Sequence, residues 1–145
     1  MALDDKTLEI LGNELEKNTE ILESVVSKFN IQILNIAYKT SFSNGEIEAF
    51  IEFTSLDGSS KIKNAGDCGQ EIDFKINFYN GTKLIYSEEE SYDTTRFSGY
   101  DTIKIFASGS QLIEKVTSAR IFIVKGFKKN FSVYICTLEK IFITK

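Results

Sequence analysis

The chain has 145 residues and a mass of 16.4 kDa, the size of one domain whose folding buries roughly 68–70% of its unfolded surface. It contains no His, Pro or Trp, which excludes Ser-His-Asp and Cys-His catalysis, His-ligated zinc and imidazole pH switching at once. With 17 basic against 21 acidic side chains the net charge is −4, and all the basic residues but Arg96 and Arg120 are Lys, so a nucleic-acid partner is excluded as an expectation.

Leu8, Leu11, Leu15, Leu22, Val25 and Phe29 recur at steps of three and four, with Asn18 filling the single gap. This stripe predicts one amphipathic α-helix over residues 1–29, about 25 helical residues and ~37 Å long. Asp4 and Asp5 suit the positive end of its dipole. The positions beside the stripe lack paired charges, and Ile21 and Val26 widen the apolar face. Docking on a sandwich, its own or a partner's, is therefore favoured over a free-standing coiled coil. Acidic residues where an export signal needs positive charge, and no apolar stretch after them, predict a cytoplasmic protein. Abundant Ile and Lys with little Arg predict a bacterial origin.

From Asn30 the hydrophobic period changes from 3.6 to 2, which sets the one organisational boundary: helix over 1–29, β-sandwich over 30–145, together a single structural unit. Residues 31–40 are apolar on both faces of a first strand. Ile47, Ala49, Ile51 and Phe53 then point one way while Glu46, Glu48 and Glu52 point the other, one buried and one wet face. Residues 61–70 form a long loop, and Ile72, Phe74, Ile76 and Phe78 make the next inward row. Asn80-Gly81 predicts a two-residue hairpin tip, after which Leu84 to Tyr86 pair back. A polar connection from Ser87 to Asp101 leads to Ile103, Ile105 and Ala107. Gln111 to Thr117 could form a helical turn, and Arg120 to Lys125 is a central strand. Phe131, Val133 and Ile135, and then Lys140 to Thr144, complete the chain. The fold class is mainly β: an immunoglobulin-like antiparallel β-sandwich of seven to nine strands with one N-terminal amphipathic α-helix.

Ile76-Asn77-Phe78-Tyr79-Asn80, followed by Gly81-Thr82-Lys83-Leu84-Ile85, resembles the signature of the FxLYD-type immunoglobulin-like domains of bacteria. The resemblance spans residues 71–124, with Tyr92, Phe97, Ile103, Ile105 and the Arg120 to Val124 strand in matching places. Asn80 stands where Asp is usual, and the stretch between Ser87 and Asp101 is longer. The resemblance implies a noncatalytic module with no common ligand, and it carries over no site.

Among the residues themselves, Tyr86, Tyr92, Phe97 and Tyr100 interleave with small polar residues in the composition of a contact surface. The competing reading has Tyr92 and Phe97 plugging the open end of the sandwich. Glu88, Glu89, Glu90, Asp93 and Asp101 are spaced unlike a calcium loop and predict a solvated edge that discourages aggregation. Cys68 and Cys136 lie outside any metal-binding spacing, and whether they pair is left open. The expectation is a noncatalytic interaction or assembly protein that takes no cofactor or metal, binds a protein partner or itself, and has no membrane span. The alternative is a ligand- or carbohydrate-binding sandwich module.

Overall fold

The computed structural model describes residues 12–41, 45–65, 71–108 and 115–125. A first helix, α1, covers residues 12–17. It is followed by β1 (Thr19–Ile21), α2 (Glu23–Ser27), β2 (Ile31–Ser41), β3 (Glu46–Ser55), β4 (Glu71–Asn80), β5 (Lys83–Asp93), a 3-10 turn (Thr94–Arg96), β6 (Tyr100–Ser108) and β7 (Ser118–Lys125). The strands form two sheets, β1-β7-β4-β5 and β2-β3-β6, packed face to face as a β-sandwich. Their pairs are antiparallel except β1 with β7, which is parallel.

The core lies between the inner rows that the alternation marks. Ile47, Ala49, Ile51 and Phe53 of β3 and Ile103, Ile105 and Ala107 of β6 face Ile72, Phe74, Ile76 and Phe78 of β4 and Ala119, Ile121 and Ile123 of β7; all are buried. Each large side chain so buried contributes about 1.5–3 kcal/mol relative to exposure. The apolar character of both faces of β2 has a specific cause. Its pairing with β3 shifts between Ile33 and Asn35, so Leu34 is the extra residue of a bulge. Ile31 and Ile33 face inward before the bulge, Ile36 and Tyr38 after it, and Leu34 is left 52% exposed.

The single long N-terminal helix is corrected. Helix α1 ends at Asn18, whose N–H bonds the carbonyls of Glu14 and Leu15, and the chain continues extended. Thr19 to Ile21 pair with Ala119 to Ile121, Asn18 O accepts from Ala119 N at 3.1 Å, and Leu22 N donates to Ile121 O at 3.0 Å. Continuing the helix would leave that edge of β7 unpaired, and the helical preference of β-branched Thr19 and Ile21 is worth under about 1 kcal/mol per residue. Helix α2 then packs against both β2 and β7, closing one side of the sandwich with Val26 and Phe29 buried. Of the stripe, Leu15 and Phe29 are buried in the core, Leu22 and Val25 are half-buried, and Leu8 and Leu11 lie outside the described residues.

Two further expectations shift. Residues 87–93 are strand rather than connection, because β5 is an edge strand whose middle is wet on both sides and so shows no alternation. The hairpin tip is Gly81-Thr82, since Asn80 pairs with Lys83. Positive φ falls on Gly81 (60°), the first central position, which is the type II′ pattern. Gly81 N–H donates to Thr117 Oγ1 at 2.8 Å, tying this tip to the approach of β7. The segments at 131–135 and 140–144, most of 111–117, and both cysteines lie outside the described residues.

Candidate interaction surfaces

At the corner where β5 crosses to β6, Tyr92 and Phe97 point into the sandwich and not outward, which corrects their assignment to a contact surface. Tyr92 is 2% and Phe97 5% exposed. Phe53 gathers them: its ring centroid lies 5.0 Å from Phe74, 5.1 Å edge-on from Tyr92 and 5.6 Å stacked from Phe97. The Tyr92 hydroxyl donates to Asp101 Oδ2 at 2.5 Å, while the Arg96 guanidinium lies 5.6 Å from the Tyr92 ring. Burial, and next the Asp101 carboxylate, push the Tyr92 hydroxyl well above its ordinary range. Asp93 holds the intervening 3-10 turn by accepting from Thr95 N at 2.9 Å. This corner is structural: it satisfies a buried hydroxyl and plugs the end of the core.

Tyr86 and Tyr100 are separated from that corner and from each other. Tyr86, half-buried on the inward row of β5, donates to Glu88 at 3.0 Å, and burial raises its hydroxyl. Tyr100 stands on the outer face of the β2-β3-β6 sheet, 51% exposed, and donates to Glu52, which raises its hydroxyl. The four aromatics therefore form no single surface.

The outer faces of the two sheets differ in kind. On the β1-β7-β4-β5 sheet, neighbouring side chains answer one another: Lys75 with Glu89 at 3.4 Å, Ser91 with Asp73 at 2.8 Å, Ser87 with Asn77, and Arg120 with Glu20 at 3.3 Å. A depression of about 510 Å³ beside β4 and β5 is lined by Lys75, Asn77, Ser87, Glu88, Glu89 and Phe122. The alternation of β5 also divides its acids. Glu89 faces outward to Lys75, while Glu88 and Glu90 fall opposite Ile76 and Phe74 on the other side, so the run is no chelating cluster. Among the described residues no three His, Cys, Asp or Glu side chains are grouped to hold a metal.

On the β2-β3-β6 sheet the outer face carries aromatics. Phe106 is 42% exposed beside Glu48, and Phe50 is half-buried between Ala37 and Lys104. Neither was singled out in the sequence. The available signal was an aromatic residue on the polar phase of an amphipathic strand: Phe50 among Glu46, Glu48 and Glu52, and Phe106 opposite Ile103, Ile105 and Ala107.

A second feature lies where α1 meets β2. Gly12 is pressed against this strand, since a Cβ there would sit 3.2 Å from the Tyr38 carbonyl oxygen. Thr19 Oγ1 donates to Leu15 O at 2.6 Å and lies 2.8 Å from the Tyr38 hydroxyl, and Glu16 accepts from Tyr38 N–H at 3.4 Å. Burial pushes the Tyr38 hydroxyl well above its ordinary range. Beside this clamp a groove of about 350 Å³ runs between α1–β1 and β2, lined by Glu16, Lys17, Thr19, Ile21, Ile33, Leu34, Asn35 and Ile36.

No family model matches the chain, and no curated protein does. Among solved structures it is similar to a DUF1425 family member from Shewanella sp. pv-4, with 10% identity, a TM-score of 0.39, and 68% of this chain and 81% of that one covered. A β-glucosidase from Kluyveromyces marxianus in complex with glucose has 12% identity and a TM-score of 0.27, with 68% of this chain and 14% of that one covered. No helix among the described residues is long and apolar enough to cross a membrane.

Proposed function

We propose that this chain is a noncatalytic protein-binding module whose partner rests on the outer face of the β2-β3-β6 sheet. The observation that carries the reading is the contrast between the two outer faces. One is largely closed by paired polar side chains, with Leu84 exposed on its edge strand β5, while the other leaves Tyr100 and Phe106 exposed around half-buried Phe50. Large aromatics amid polar residues on a rigid sheet suit a partner surface, because they bury much apolar area at little cost in side-chain entropy. The FxLYD-type resemblance of residues 71–124 accords with such a module.

The test places a photo-crosslinking amino acid at position 106 and, separately, at position 75 on the opposite sheet. Under this reading, irradiation in the native cell yields discrete adducts with another protein from position 106 and not from position 75. Equal labelling at both positions, or none at 106, overturns it.

A further inference from the structure

We propose that the groove between α1–β1 and β2 seats a second copy of this chain, joined across a two-fold axis at the Leu34 bulge. The groove has an apolar floor, with Ile33 buried and Ile21 and Ile36 half-buried, and its rim carries Leu34 at 52% exposure. An exposed apolar knob thus stands beside an apolar hole on the same chain. Such a surface is self-complementary: under a two-fold axis each Leu34 enters the other copy's groove, the isologous arrangement of most homodimers. The bulge provides the knob, because the extra residue is left out of the ladder and the strand bends around it.

Charge and backbone agree with a second copy. Glu16 and Lys17 are adjacent on the groove wall with opposite signs, and the ion pair of Lys17 with Glu14 at 3.6 Å is solvent-exposed, so the same axis sets each Glu16 against a Lys17 of the other copy that exchanges this exposed partner for it. Both walls are strand edges unpaired among the described residues over this stretch. Tyr38 N–H, further along β2, is already occupied by Glu16. The opposite side of the sandwich is unsuited to self-pairing. There β5 carries Glu88 and Glu90 on its inward row, and two copies edge to edge would set like charges together.

Light scattering on the full chain from micromolar to millimolar concentration tests the proposal, the expected mass being twice 16.4 kDa at the upper end. Leu34→Asp should raise the dimer dissociation constant about tenfold or more, as for an interface hot spot, and Leu34→Ser should move it the same way without introducing a charge. Glu16→Lys and Lys17→Glu should each weaken the dimer, and the two together should restore it. Phe106→Asp, on the face of the proposed function, should leave the dimer intact, whereas Leu34→Asp should leave the adducts at position 106 unchanged. The unfolding midpoint of each variant checks that it folds. A chain that stays monomeric throughout, a dimer indifferent to Leu34, a double charge exchange that fails to restore association, or a dimer dissolved by Phe106→Asp overturns the proposal.

Discussion

Phe53 is the position at which the fold can be tested most sharply. Its side chain is 0% exposed, and three aromatic rings lie within 5.0 to 5.6 Å of its own: Phe74 from the facing sheet, Tyr92 from β5 and Phe97 from the crossing corner. Phe53→Ala removes a buried ring and leaves a cavity in the joint between the sheets, about 3–5 kcal/mol. Aromatic pairs contribute about 0.5–1.5 kcal/mol each beyond burial, which places the loss at the upper end of that range. That is a large share of a total stability of about 5–15 kcal/mol, so Phe53→Leu is the companion variant; it keeps most of the apolar volume, loses the ring pairs and should cost about 1–2 kcal/mol. Phe106→Ala, on the same sheet but facing outward, should cost about 0.5 kcal/mol or less. Urea unfolding measures all three. The chain has no Trp, so tyrosine fluorescence, including that of Tyr92 in the cluster itself, supplies the signal. A loss below about 1 kcal/mol for Phe53→Ala, or an equal loss for Phe106→Ala, would refute the inward phase of β3 and β6.

Gly81→Val should cost about 1–2 kcal/mol through the positive φ alone, since a Cβ there meets nothing within 4 Å; a variant as stable as the parent would place the turn elsewhere. Tyr38 and Tyr92 both have hydroxyls raised above the ordinary value of 10.0 in the folded protein, so the stability they contribute is complete below pH 10 and falls as pH rises beyond it. Tyr38→Phe and Tyr92→Phe should each make the alkaline loss shallower. An ultraviolet titration in which all six tyrosines ionise with the ordinary value while the protein remains folded would sink this assignment.

Much of the fold is legible along the chain because strand alternation is a local consequence of burial. The inner rows of β3, β4 and β6 read directly from every second residue, and Arg120 to Lys125 reads as interior because apolar residues occupy both its phases. The docked aromatics at Tyr92 and Phe97 were legible only as one of two alternatives. An aromatic in a polar stretch looks the same whether it caps a core or meets a partner, and the choice rests on Phe53 and Phe74, distant in sequence.

The sequence by itself determined a mainly β chain, the inward phase of its amphipathic strands, a tight turn near Gly81, and the exclusion of His-dependent chemistry. Each follows from residue type and period alone. Tertiary structure decided where partners outside the local window compete for the same backbone. The stripe from Leu15 to Phe29 keeps helical spacing, yet the chain breaks at Asn18 because the edge of β7 offers Thr19 to Ile21 hydrogen bonds that no local period reveals. The bulge at Leu34 is likewise invisible in an apolar run, since only the register against Phe53 and Glu52 shows which residue is extra. The same register turns Leu34 outward, and it leaves Phe50 and Phe106 on the outer face of the sheet, where the candidate surfaces lie.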